Sequence, residues 1–226
     1  MTQQEDSFFS HLVELRDRLL RALIAVGIVF LGLCLWPGPG AIYDILALPL
    51  TKALPEGTKM VAIGVITPFM VPIKVTMLIA FVIALPVVLY QIWAFVAPGL
   101  YAHEKRLALP LVVASTFLFM LGMSFCYFFV FGQVFSFIAG FAPKSITPAP
   151  DIEAYLGFVM TMFLAFGVSF EVPVVLVVLV KFGLVTVDKL KEWRSYFIVI
   201  AFIIAAIVTP PDVVSPLAQA IPMCLL

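Results

Sequence analysis

The stretch Ala154–Val180, AYLGFVMTMFLAFGVSFEVPVVLVVLV, decides the fold. Built from Leu, Val, Phe, Met, Gly and a few small polar residues, it is long enough to cross a hydrocarbon core of about 30 Å as one α-helix, which needs roughly 20 apolar residues. Glu171 is its only charged residue. A carboxylate at that depth costs about 2.5–3.5 kcal/mol on insertion scales, so it faces a polar cavity or a polar partner and marks the first place to look for function. The plainer reading is a hydrogen-bonded acid with no further task. Pro173, two residues on, lacks a backbone N–H and leaves a carbonyl one turn earlier without its helical donor, which concentrates polarity at this level of the helix.

Outward from that stretch the chain keeps the same character. Its 226 residues are 64% hydrophobic with a mean hydropathy of +1.19. Soluble domains are only about 45–50% apolar, so the composition predicts an all-α integral membrane protein. The formal charge is zero and 12% of residues are charged, which leaves no basic surface for nucleic acid and no acidic tail. Cys34, Cys126 and Cys224 lie in apolar runs without the paired spacing of metal sites or disulfide frameworks, and read as small packing side chains. The polar start, Met1 to Asp6, is not followed by a short apolar run and a small-residue cleavage pattern, so no cleaved signal peptide is expected.

Apolar runs of spanning length cover residues 19–36, 67–92, 107–131 and 154–181. A fifth, 196–208, extends only about 20 Å. A sixth, 213–226, begins after Thr209-Pro210-Pro211-Asp212 and is still apolar at Leu226. The expectation is one polytopic membrane domain over 1–226 with six transmembrane helices, the fifth and sixth short, truncated within the sixth. With alternating sides, Arg16, Arg18, Arg21, Lys105, Arg106, Lys181, Lys189, Lys191 and Arg194 share one face, against Lys52, Lys59 and Lys144 on the other. That asymmetry makes the first face cytoplasmic, with both native termini on it. Lys74, near the outer end of the second run, is placed to snorkel to the interface. Trp36-Pro37-Gly38-Pro39-Gly40 cannot continue a helix, and Thr67-Pro68 offers an N-cap followed by proline at the first helical position. The outer loops, 37–66 and 132–153, are long enough to cap their face, whereas the inner ones are short.

Residues 1–18 form an amphipathic helix on the cytoplasmic surface, with Phe8, Leu12, Leu15 and Leu19 on one stripe. Glu14 and Arg18, and Asp17 and Arg21, are spaced four apart. Solvated ion pairs worth roughly a few tenths of a kcal/mol are the plain reading of these charges; Glu14 as receptor for a cation is the functional one. In the first inner loop, the aromatics of Trp93 to Tyr101 lead into His103-Glu104-Lys105-Arg106, either an aromatic belt with loop charges or a binding surface. Asp212, after two prolines, reads as the N-cap of the last helix, and Pro49 as a loop or packing residue. His103 has no second His or Cys at ligand spacing, so no metal site is expected. Neither His11 nor His103 lies in a span beside Ser or Cys, and no phosphate-binding glycine loop occurs. The chain is therefore read as a non-enzyme without a cofactor.

Five motifs taken together point further: His11-Leu12-Val13-Glu14-Leu15-Arg16, His103-Glu104-Lys105-Arg106, Phe166-Gly167-Val168-Ser169-Phe170-Glu171-Val172-Pro173, Thr209-Pro210-Pro211-Asp212 and Ala220-Ile221-Pro222-Met223. In this order, over essentially the whole chain, the sequence resembles the TatC family of the twin-arginine protein translocase. The resemblance implies a receptor in the bacterial cytoplasmic (inner) membrane that binds twin-arginine signal peptides of folded substrates at the cytoplasmic face. It also implies single-span TatA and TatB partners, a homo-oligomeric receptor complex among membrane lipids, and export driven by the proton-motive force. By motif, Glu14 and Glu104 would receive the paired arginines, Arg16 would shape that patch, and Phe95 would belong to the same site. Glu171 would be the polar residue of a concave membrane groove, while Pro49 and Asp212 become functionally sensitive positions. The fifth segment would contact TatB, and the sixth would take part in binding the small subunits.

Physical chemistry supports a carboxylate receptor for arginine, because a guanidinium presents a planar fork that a carboxylate accepts bidentately, whereas an ammonium is a rounder, more strongly hydrated charge. Two readings compete with it. One is a proton-coupled secondary transporter with Glu171 as the titrating group, which would show uptake by this chain alone. The other is a membrane scaffold that does not discriminate between twin-arginine and twin-lysine peptides.

Overall fold

The computed structural model describes residues 2–53, 60–96, 108–141, 149–208 and 214–225. Among them every regular element is helical: α1 Thr2–Leu35, α2 Pro39–Ala53, α3 Thr67–Val96, α4 Ala108–Phe125, a π-helical turn Cys126–Val130, α5 Phe131–Phe141, α6 Ile152–Lys181, α7 Val187–Val208 and α8 Val214–Leu225. Helices suit hydrocarbon because they satisfy their backbone groups within one segment. Four stretches are long and apolar enough to cross a membrane: His11–Leu35, Thr67–Phe95, Leu109–Ile138 and Ile152–Lys181.

The chain divides into two compact units, Met1–Gly38 with Thr76–Thr116, and Pro39–Val75 with Phe117–Leu226. In the first, α1 departs from expectation. The surface helix predicted over 1–18 and the span predicted over 19–36 are one continuous helix, since neither Gly nor Pro occurs before Gly27 to break it. Its apolar side chains Leu19, Leu23, Ile28 and Leu31 are exposed, as on a helix that faces lipid. Gly38, at φ +92°, lets the chain turn out of α1, a region that a side chain would make strained. Within the same unit, Trp93 Nε1 donates to the fully buried Ser115 Oγ at 3.0 Å and ties α3 to α4.

In the second unit, residues 39–53, expected in a loop, form a helix. Pro39 fits its start, where a missing N–H costs nothing. Pro49 lies inside that helix and cannot donate to the carbonyl of Ile45 one turn back. Tyr127 Oη donates to that same carbonyl at 2.7 Å. Tyr155 Oη, which is buried, donates to the next one, Leu46, at 2.8 Å. Two phenols thus fasten α2 to the π-turn and to α6. The π-turn also carries the third run past residue 131, where the sequence was expected to leave the membrane, into α5. Outside the spans, burial and then the charges of Asp44 and Asp151 hold the Tyr43 phenol above its ordinary value, so it stays a donor, here to Met60 Sδ.

The start of α6 is fixed from two sides. Asp151 caps it by accepting from Ala154 N at 3.2 Å, and the 60–66 segment is stitched to it through Val61 N to Pro150 O at 2.9 Å and Ile152 N to Val61 O at 3.0 Å. Lys74 reaches across to Glu153 Oε1 at 3.1 Å, where only snorkelling was expected. At its other end α6 closes with Gly183 at φ +68° and a Leu184 N to Leu179 O bond of 3.0 Å, which terminates the helix in a left-handed cap.

Helices α4 and α6 interlock through glycines. A Cβ on Gly122 would lie 2.6 Å from the backbone oxygen of Phe166 and 2.9 Å from the Phe170 ring, and one on Gly167 would strike the Phe119 ring. Without a hydrophobic force between helices in lipid, such small-residue contacts are what let backbones pack. Helices α7 and α8 also pack against each other, and Ala201, Ala205 and Ala220, which they carry, are fully buried.

Gly122→Ala is expected to cost about 1–3 kcal/mol, because the opposing group is backbone and cannot rotate away. Gly167→Ala, opposed by the far end of one ring, costs less. Gly157→Ala, with nothing within 4 Å, is neutral or stabilising. Thermal unfolding of the purified variants in detergent checks the order. Tyr127→Phe and Pro49→Ala are expected to be non-additive in the same assay, since returning an N–H at position 49 gives Ile45 a donor that compensates for the lost phenol.

Candidate functional site

The amphipathic start of α1 and the end of α3 come together within the first unit. His11 stacks on Phe95, ring centroids 4.4 Å apart and planes inclined by 21°. On a helix, His11, Glu14 and Arg18 follow one another on one face. The stack therefore sets the Glu14 face of α1 beside the last turn of α3, immediately before the aromatic loop read as interfacial. Sequence pattern alone did not mark His11 as a site residue, because histidine was weighed only for catalysis and metal binding. Its signal was its place three residues before Glu14.

Glu14 already holds an arginine. Arg18 Nε and one terminal nitrogen both donate to Glu14 Oε1, at 2.9 and 2.5 Å, with the two side chains only 20% and 36% exposed. Both bonds converge on one oxygen. The pair holds the carboxylate on its face of the helix and leaves Oε2 outside it. Arg16 turns sideways to Asp17, at 3.0 and 2.9 Å, on a more exposed flank. The Asp17 to Arg21 spacing suggested another partner; the neighbouring Arg16 takes it instead. Glu104 and Asp212 lie outside the described residues.

Glu171 is half-buried on α6, with its Oε1 enclosed. Two residues earlier, buried Ser169 accepts from Gln219 Nε2 of α8 at 3.0 Å. Pro173 withholds its N–H from the carbonyl of this same Ser169. The polarity expected at this level of α6 is therefore present as Ser169, Glu171 and Gln219. Gln219 is 1% exposed, and its Oε1 has no hydrogen-bond partner among the described residues. Sequence reasoning did not single it out, although it is the only amide in the last apolar run. Pro49 lines a cleft of about 360 Å³ together with Tyr127, Phe128 and Ser136. No group of three or more His, Cys, Asp or Glu side chains among the described residues is arranged to hold a metal.

Known proteins with this pattern were found by sequence and by structure. Residues 10–222 match the family model of TatC, the Sec-independent protein translocase protein. Proteins described as Sec-independent protein translocase protein TatC are 52% identical over 219 residues in Halothiobacillus neapolitanus, 49% over 223 in Haemophilus influenzae and 48% over 214 in Escherichia coli K12. The matches cover 97%, 99% and 95% of this chain; they cover 59% of the Halothiobacillus relative, 86% of the Haemophilus one and 82% of the Escherichia one. A crystal structure described as the twin arginine translocase receptor TatC superposes with a TM-score of 0.78 at 41% identity, over 95% of this chain and 93% of that one. A second, in detergent, gives 0.80 at 40%, over 95% of each chain. By family model, relatives and fold together, the chain belongs to the TatC family of Sec-independent protein translocase proteins, transmembrane components of twin-arginine protein transport.

Proposed function

We propose that this chain is the receptor of its translocase, binding twin-arginine signal peptides at the cytoplasmic face of the bacterial inner membrane. The observation that carries the reading is the stack of His11 on Phe95, which sets the Glu14 face of α1 beside the last turn of α3. Two crystal structures similar to this chain are described as receptors. In the proposed site Glu14 and Glu104 each take one arginine of the peptide, Arg16 sets the potential of the patch, and Phe95 with His11 forms an aromatic wall. Glu14 receives a guanidinium in its own helix already, so a peptide arginine adds to, or exchanges with, Arg18. Charge-assisted hydrogen bonds contribute about 1.5–3 kcal/mol each, enough for two carboxylates to separate Arg-Arg from Lys-Lys after desolvation is subtracted.

The proposed topology has six spans, with the apolar part of α7, residues 196–208, as the short fifth and α8 within the sixth, and both native termini in the cytoplasm. The lysine and arginine asymmetry supports it. TatB is proposed to dock on the fifth segment and TatA or TatB on the sixth, within a homo-oligomeric complex powered by the proton-motive force. Glu171, with Ser169 and Gln219 at its level, is proposed to keep water or a polar partner within the membrane groove. Pro49 then matters by freeing the carbonyl that Tyr127 holds, and Asp212 as the N-cap of the last segment.

Glu14→Gln with Glu104→Gln is expected to remove the preference for a twin-arginine over a twin-lysine peptide, measured as binding to the purified protein. Unchanged discrimination would remove both residues from the site. His11→Ala is expected to weaken peptide binding several-fold, with His11→Phe restoring it, since the aromatic contact rather than the charge positions α1. Cysteines placed around Glu171 are expected to react with a water-soluble maleimide on one face of α6, and protection on every face would refute the wet groove.

A further inference from the structure

The stack of His11 on Phe95 also fixes what lies one turn deeper. The spans His11–Leu35 and Thr67–Phe95 meet at this stack, one at its first residue and the other at its last, so both run from it toward the same side of the membrane. From His11 along α1, Glu14 is about 4.5 Å on and Arg18 about 10 Å on; from Phe95 back along α3, Gln91 is about 6 Å on. Gln91 and Phe95 are spaced four apart and share a face of α3, as His11, Glu14 and Arg18 share a face of α1. The two faces that the stack brings together therefore carry Gln91 opposite the pair of Glu14 and Arg18. Side chains on a helix lean toward its N-terminus, so Arg18 leans toward the stack and Gln91 away from it, and the two approach one level. Gln91 is 9% exposed, and its Oε1 is enclosed with no hydrogen-bond partner among the described residues. A buried acceptor left unpaired is destabilising, and an amide oxygen pairs with any N–H that reaches it. The indole N–H of Trp93, two residues on, is already committed to Ser115. Arg18 has five N–H groups, of which the bonds to Glu14 use two, and its side chain is only 20% exposed, so it is held inside the patch rather than in water.

We propose that Gln91 receives the Arg18 guanidinium when a peptide arginine takes its place on Glu14. The inference rests on the receptor reading above and decides between addition and exchange in favour of exchange. In the free protein Arg18 occupies Glu14 and Gln91 Oε1 goes unpaired. In the complex Arg18 swings across to Gln91, so the incoming guanidinium meets a vacated carboxylate, and the buried amide gains the donor it lacks. A neutral amide oxygen holds a guanidinium less strongly than a carboxylate does, so Arg18 stays on Glu14 until a peptide arrives. Gln91 is thus a positioning residue, which acts on the peptide through Arg18.

The test is binding of a twin-arginine signal peptide to the purified protein with substitutions at positions 91 and 18. Gln91→Leu is expected to weaken binding about fivefold or more, since the displaced Arg18 then has no acceptor. Gln91→Glu, of nearly the same shape, is expected to strengthen it, because a carboxylate at position 91 draws Arg18 off Glu14 beforehand. In an Arg18→Gln background both effects are expected to vanish. A packing role for Gln91 would weaken binding with either substitution, and that outcome overturns the proposal. An effect at position 91 that persists without Arg18 overturns it too, since Gln91 would then serve the peptide directly. If Gln91→Leu fails to fold, the Glu variant still decides: affinity that does not rise, or rises equally without Arg18, refutes the exchange. Equal affinity of the unaltered protein for twin-arginine and twin-lysine peptides would remove the receptor reading and the exchange together, whereas retained discrimination with silent changes at position 91 would remove the exchange alone.

Discussion

Inside hydrocarbon no water is present to satisfy a backbone group, so every break in a helical hydrogen-bond ladder has to be met by protein. The architecture reflects how this chain handles those breaks. Pro49 leaves Ile45 without a helical donor, and Tyr127 supplies one, which ties α2, outside the spans, to the π-turn of the third span. The residue that donates belongs to a π-turn, itself a departure from the α ladder. On α6, Pro173 withholds a donor from the residue whose hydroxyl Gln219 engages. In each case a proline and a polar side chain from another helix occur together, and the weak point of one helix becomes the joint between two.

The patch around Glu14 obeys a different rule, because its charged side chains are partly exposed. Glu14 is not an empty carboxylate awaiting a cation; it is already organised by Arg18 on one side of its helix. On the receptor reading, a peptide arginine arrives at an acid whose Oε1 already carries a guanidinium, so it adds to or exchanges with Arg18. The aromatic stack supplies what the charge pair cannot, a fixed position for α1 relative to the end of α3.

Which parts of this were legible in the sequence depended on range. The fourth apolar run, read as 154–181, is α6 to within two residues, because hydropathy over one helix is a local property. The helix over 39–53 was hidden behind Pro37-Gly38-Pro39-Gly40, whose turn chemistry governs the entry but not the conformation of the residues beyond it. An internal Pro49 also reads as a breaker when the phenol that compensates for it is far away in sequence. The end of the third run was set too early for a related reason, since a π-turn keeps the chain helical through Gly132. Glu14, Phe95 and Glu171 were singled out from charge, motif and depth. His11 and Gln219 were not, as their meaning lies in partners far along the chain.

Helix α1 runs unbroken for 34 residues, about 50 Å, and only 6% of its spanning window is buried by protein. A rod so lightly held along its length moves as a whole when it moves at all. Its contact with Phe95 then acts as a fulcrum near one end, and a rotation of about 5° there sweeps the far end, near Leu35, through about 3 Å. On the receptor reading, a displacement at the ring of His11 would be multiplied at the Leu35 end by the length of the helix alone, with no rearrangement inside the helix that carries it.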